Sequence, residues 1–212
     1  MDYLKILENL KSKFNKNQLK VFDSIVPFDS LHLASMGHND TEGYQVFTPE
    51  FIVRDMCAAI GDDIFDFTKN VLEPTSGDGA FTVYILNKRL ELIKDNFELN
   101  SLKAISTIYS VEMDKELIEK QRNNILTAIK LFVEKNDIKV NDLYFEIVKC
   151  IITTNFIWGM FNSDNPIDVG LFGTEVVYKM PQAEKKDYKP IDFPVWDIND
   201  NNIDYHEEGV DL

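Results

Sequence analysis

Apolar side chains recur at helical spacing from the start of the chain: Leu4, Leu7, Leu10 and Phe14, then Leu19, Phe22 and Val26. The spacing predicts helix over residues 3–27. The polar stretch Gly37-His38-Asn39-Asp40-Thr41-Glu42-Gly43 interrupts the pattern and reads as a loop. Beyond it Thr48 suits an N-cap, Pro49 the first helical position and Glu50 the positive end of a helix dipole. A helix is expected from there to Ile60. Asn70-Val71-Leu72-Glu73 reads as a short buried strand, residues 74–79 as a turn, and residues 80–97 as a helix. Residues 104–112 read as a second strand and 115–134 as a long helix. Residues 151–156 read as a third strand and 174–179 as a fourth. Strands alternating with helices at this spacing predict an α/β fold, doubly wound around a mostly parallel sheet, with helices at the N-terminus. No internal repeat is visible.

The pattern divides the chain into residues 1–44 (a helical segment and loop), 45–180 (the α/β domain) and 181–212 (a tail). The tail has nine acidic and three basic side chains and three prolines. It reads as irregular, with Tyr188, Phe193, Trp196 and Tyr205 available to dock on the domain.

Composition narrows the classes. At 212 residues the chain suits one ordinary domain, and 44% hydrophobic and 12% aromatic residues place it among folded proteins. No apolar run approaches the roughly 18 residues of a membrane helix, and the first residues lack a signal-peptide pattern. Cys57 and Cys150 are far apart, and His32, His38 and His206 are scattered. No metal-ligand spacing results, and a reduced, cytoplasmic protein is expected. The formal net charge of -14 opposes nucleic-acid binding by the chain alone, because DNA affinity rests largely on Lys and Arg meeting phosphates.

The candidate chemistry lies in Val71-Leu72-Glu73-Pro74-Thr75-Ser76-Gly77-Asp78-Gly79-Ala80-Phe81. A strand, a glycine turn and a helix start let a ligand approach the backbone at the strand's carboxyl end. Glu112, at the end of the next strand, is placed to accept hydrogen bonds from both hydroxyls of a ribose. Thr82 stands where a dinucleotide fingerprint wants a third Gly or Ala, which ranks a nucleotide-dependent oxidoreductase low. Glu73 would repel a phosphate but attract an ammonium or sulfonium group.

Phe47-Thr48-Pro49, the Glu73–Phe81 turn and Val111-Glu112-Met113-Asp114, in this order, resemble the cofactor motifs of adenine-specific N6 DNA methyltransferases, familiar from restriction-modification systems. The resemblance covers roughly residues 45–160 and implies the fold of S-adenosylmethionine-dependent methyltransferases. It implies S-adenosyl-L-methionine as cofactor, with Phe47, Thr48, Glu73, Pro74, Ser76, Gly77, Gly79, Phe81, Glu112 and Met113 around it. By position, Thr48 would hold the methionine carboxylate, Glu73 would sit near the ammonium group, and Met113 would pack on the adenine. Asn155-Phe156 resembles the family's next motif, usually Asp-Phe, with the Asn carbonyl still able to accept a hydrogen bond.

The family also needs Asn or Asp, Pro, Pro and an aromatic residue after the fourth strand, to accept the hydrogens of the target amino group and stack on the flipped base. No such motif occurs. The remnants are Asn165-Pro166, which falls too early, and Lys179-Met180-Pro181-Gln182, in which a lysine replaces the amide acceptor. The residues after Tyr178 are also too few for a target-recognition domain. The resemblance therefore implies a truncated or partner-dependent methyltransferase, reaching DNA only through a partner chain or missing domain. The alternatives are a catalytically inactive cofactor-fold subunit and a regulatory or interaction protein, including a DNA mimic suggested by the acidic tail.

Overall fold

The computed structural model describes residues 1–33, 48–159 and 193–206. Among these, the fold is α/β. Three short strands, β1 (Val71–Glu73), β2 (Ile108–Glu112) and β3 (Phe156–Trp158), form a parallel sheet with β2 in the middle. Glu73 lies opposite Ser110, and Glu112 opposite Trp158, so all three carboxyl ends share one edge.

The helices are α1 (Tyr3–Ser12), α2 (Lys16–Ser24), α3 (Glu50–Ile60), α4 (Ala80–Leu92), α5 (Phe97–Ser106), α6 (Lys115–Lys135) and α7 (Tyr144–Asn155). One large core joins them to the sheet, centred on Leu86, Leu102, Ile105, Ile125, Ile129, Ile147 and Ile151. A second, smaller cluster of Tyr109, Val111 and Phe193 gathers with Leu72 and Ile157, which side-chain alternation along β2 assigns to the other face of the sheet.

Several elements differ from the sequence reading, each for a local reason. The first helical stretch is two helices, because the Asn15 side chain accepts the amides of Asn17 and Gln18 and starts a new helix in a capping box. Pro49, not Thr48, occupies the cap position of α3, without a side-chain cap bond. The helix expected to reach Phe97 stops at Leu92, and α5 takes up the start of the expected second strand. The expected third strand, 151–156, is the end of α7, with β3 beginning only at Phe156. A helix buried on nearly every side is apolar all round, so its periodicity cannot separate it from a buried strand. Thr153 and Thr154 fit the helix by donating their hydroxyls to carbonyls one turn back.

The tail is not irregular where it is described. Strands β4 (Val195–Asn199) and β5 (Asn202–His206) pair as an antiparallel hairpin, turned where Asn199 accepts the amides of Asn201 and Asn202. Its aromatics do dock on the domain. Phe193 packs on Tyr109 with ring centroids 5.0 Å apart, and Trp196 Nε1 donates to Asn155 Oδ1 at 3.0 Å. Lys13 pairs with Asp204, donates to the Tyr205 carbonyl and lies over the Tyr205 ring. The expected fourth strand, and with it Asn165, Pro166, Lys179 and Pro181, lies outside the described residues, as does Phe47. No described helix is long and apolar enough to cross a membrane. Both cysteines are free and buried.

Candidate functional site

The glycine turn joins β1 to α4 at the carboxyl edge of the sheet, and Glu112 closes it from β2. Gly77 N–H donates to Glu112 Oε2 at 2.7 Å, and Asp114 N–H donates to Oε1 at 2.8 Å. Each carboxylate oxygen keeps a second lone pair for another donor. Asp114 caps α6 through the amides of Glu116 and Leu117, so the helix start holds the strand end in place.

The two glycines do different work. Gly77 has φ +57°, and a Cβ built there meets nothing within 4 Å: its outer face is open. Gly79 has φ +92°, and its Cβ would stand 2.6 Å from Gln121 Cγ on α6. Gly79 therefore serves the packing of α6 beneath the turn, while Gly77 leaves room above it. Gly79→Ala is expected to cost about 2–4 kcal/mol of stability, because the conformation is strained and the buried Gln121 must move. Gly77→Ala is expected to cost only about 1–2 kcal/mol, the penalty of the left-handed conformation alone. Chemical denaturation of both variants checks the contrast; equal losses would refute it.

Gln121 organises a buried polar chain beneath the turn. Its Oε1 accepts from Ser76 Oγ at 2.7 Å and Ser110 Oγ at 3.2 Å. Its Nε2 donates to Thr82 Oγ1 at 3.1 Å, and Thr82 Oγ1 in turn donates to Glu73 Oε2 at 2.7 Å. Every hydroxyl and amide along the path has one direction, and the path ends on Glu73.

Burial pushes the Glu73 carboxyl up to about 8, against the lowering effect of the Thr82 bonds and with the help of neighbouring Asp78 and Glu112. Cys57 of α3 lies near Glu73, and burial pushes its thiol up to about 11. Because the folded-state value of Glu73 is raised, the folded chain holds a proton that the unfolded chain loses above the ordinary carboxylate range. The resulting stabilisation is complete below that range and is lost as pH rises towards about 8. Glu73→Gln is expected to flatten this dependence by about 3 kcal/mol, less than the full linkage because the residue is only half-buried. Urea unfolding of both proteins at several pH values between those limits measures it; parallel curves would refute the assignment.

Two large side chains are exposed beside Glu112. Met113 is 56% exposed and Trp158 59%. The indole is fixed by its Nε1, which donates to the Met113 carbonyl at 2.9 Å, and Gly159 N–H donates to the Glu112 carbonyl. On the far side of the turn, Asn124 Nδ2 donates to the Asp78 carbonyl, and Lys120 pairs with Asp78 at 3.5 Å.

Of the residues expected here, Glu73, Gly77, Glu112 and Met113 come together at one edge. Ser76 is buried and turned inward to Gln121. Phe81 is half-buried against the core. Pro74 lies in the turn, and Thr48 is half-buried just before α3. Asn155 lies towards the opposite end of the sheet, and Phe156 in its middle, level with Glu73 across β2. Phe156 pairs with Ser110, two residues before the strand ends, and is wholly buried. Asn155 Nδ2 donates to the Ser106 and Ile108 carbonyls, where β2 begins. A shift in where β3 starts puts Trp158 at the edge instead.

Sequence reasoning missed Gln121 and the part played by Thr82. The available signal was a glutamine on the buried face of an amphipathic helix, between Ile118 and Ile125. No protein-family model matches the chain, and neither a curated protein nor a solved structure matches it significantly.

Proposed function

We propose that this chain is an S-adenosylmethionine-binding protein resembling an adenine-N6 DNA methyltransferase, built on a doubly wound sheet of the methyltransferase type. The observation that carries the reading is Glu112 at the end of β2, holding the glycine turn through Gly77 while the space above Gly77 stays open.

The residues at the edge fit the cofactor. Glu112 has lone pairs to take both ribose hydroxyls. Met113 and the fixed Trp158 ring offer an apolar surface to the adenine. Glu73 offers its carboxyl group to the methionine ammonium, whose positive charge would favour release of the proton that burial holds there, and its terminal place in the hydrogen-bond chain keeps Oε2 oriented. The cofactor, when bound, supplies an activated methyl group on sulfonium. Gly79 and Ser76 support the turn from beneath rather than touching the ligand.

The sequence lacks an Asn/Asp-Pro-Pro-aromatic motif, and the chain is strongly acidic. The reading is therefore of a subunit that holds the cofactor and relies on a partner chain for the target base and for DNA. An inactive cofactor-fold subunit in a regulatory complex is the second reading, favoured by the same two features.

Calorimetric titration with S-adenosylmethionine, S-adenosylhomocysteine and NAD tests the first part. Heat with the first two and none with NAD is expected; silence with the first two would end the reading. Trp158 gives a second readout, since a ligand over the exposed indole changes its emission, with Trp196→Phe removing the other tryptophan. Incubation with labelled cofactor and mixed DNA tests the second part. No transfer is expected from the chain alone, and robust methylation would overturn the need for a partner.

A further inference from the structure

A cavity lies in the helical layer, apart from the glycine turn. It holds about 710 Å³, within the range of roughly 300–1,000 Å³ for small-molecule sites. It opens between the C-terminal turns of α4 and α6 and the link, residues 93–96, that leads into α5. Its first lining residue on α4 is Asn87, so about 10 Å of helix separates it from the glycine turn.

Its apolar wall contains Phe97 and Phe132, stacked with ring centroids 5.8 Å apart and planes 4° from parallel. Its rim carries two acids and two lysines, which differ in their compensation. Glu91 pairs with Lys88 at 2.8 Å, and Asp95 accepts from Asn100 Nδ2 at 3.2 Å. Among the described residues, neither Lys94 nor Lys135 has a carboxylate within ion-pair distance. The start of α5 adds no net positive field, because its first turn carries Glu98. Asn96 sits at φ 40°, its side chain donates to Asp200, and no side chain caps the first amides of the helix. Two ammonium groups without a carboxylate partner, beside flat aromatic rings, complement an anion on an apolar body.

We propose that this cavity binds a small organic anion with a flat apolar body, the body against Phe97 and Phe132 and the charge held by Lys94 and Lys135. The volume suits a free small molecule rather than a long peptide strand.

The test titrates the full chain with anilinonaphthalene sulfonate, a flat anion that fluoresces in apolar surroundings, and with uncharged phenylnaphthylamine. One saturable sulfonate site per chain is expected. The double variant Lys94→Gln/Lys135→Gln should weaken it about tenfold or more, the scale of lost charge-assisted bonds. Both lysines are exposed, so the variant should fold as the parent does, which circular dichroism and melting verify. The uncharged probe should bind weakly and equally to both proteins. Met56→Ser, which removes exposed apolar surface from α3, should leave sulfonate binding unchanged. The proposal falls if the sulfonate does not saturate, if the double variant binds it equally, if both probes bind alike, or if Met56→Ser abolishes binding.

Discussion

Arg89→Met is expected to destabilise the folded chain by about 3–5 kcal/mol, the scale of breaking a buried charged network. The Arg89 side chain on α4 is fully buried. Its Nε donates to the Ile64 carbonyl at 3.0 Å, Nη1 to the Ala104 carbonyl at 2.9 Å and to Thr107 Oγ1 at 2.8 Å, and Nη2 to the Lys69 carbonyl at 3.0 Å. One planar fork therefore ties the short helical turn before β1, the loop leading into β1, the end of α5 and the entry to β2. Burial lowers its basicity to about 10, yet the group stays charged at neutral pH.

Methionine matches part of the volume but leaves two buried carbonyls and one part-buried carbonyl without the guanidinium donor, each buried one costing about 1–3 kcal/mol of desolvation if unmet. Partial relaxation brings the sum back to the stated range. Arg89→Lys should recover little, because one ammonium on a flexible stem cannot span acceptors on four segments. Denaturant midpoints of the three proteins decide it. A loss below about 1 kcal/mol would mean that water replaces the guanidinium, and the clamp would be incidental.

Glu112→Gln should act on stability and on binding together. The carboxylate accepts one backbone amide on each oxygen. A carboxamide can serve only one of them and turns an N–H donor towards the other. Loss of a charge-assisted bond and a donor facing a donor should cost about 2 kcal/mol of stability without any ligand. With S-adenosylmethionine the affinity should fall about 100-fold or more, because the ribose hydroxyls lose a charged acceptor. Denaturation of the free protein and calorimetry with the cofactor measure the two effects separately. An unchanged affinity in a folded variant would remove Glu112 from the ligand site while leaving its role in the turn intact. Gly77→Ala is the natural companion: its small cost in stability should come with weaker binding, since the new methyl group enters the open space above the turn.

The site was legible where its geometry is local. Strand, turn and helix start follow one another within Val71–Phe81, and the positive φ values of Gly77 and Gly79 are needs of the turn itself. Glu112 was legible because an acid closing a short apolar run stands at a strand end wherever that strand pairs. Asn155 was not, because its place depends on where α7 stops. The run Ile151-Ile152-Thr153-Thr154 suits a strand by side-chain type, and only the packing of α7 against α5 and α6 makes it helix. Moving the strand start to Phe156 carries Asn155 towards the opposite end of the sheet and delivers Trp158 to the functional edge. The hairpin of the tail was missed for a related reason. Its alternation of Trp196, Ile198, Ile203 and Tyr205 is short, and the strands are held by Asn155, Lys13 and Tyr109 from elements far away in sequence.

By itself, then, the sequence determined the order of strands and helices around the glycine turn, the acid of the second strand and the net charge of -14. These depend on local backbone preference and on composition. Tertiary structure alone decided that Gly79 is filled by Gln121, that Gly77 is open, and that a directed chain of hydrogen bonds ends on Glu73. The physical reason is the same in each case. A buried polar group or a missing Cβ acquires its meaning from the atom opposite, and that atom lies dozens of residues away, on another element.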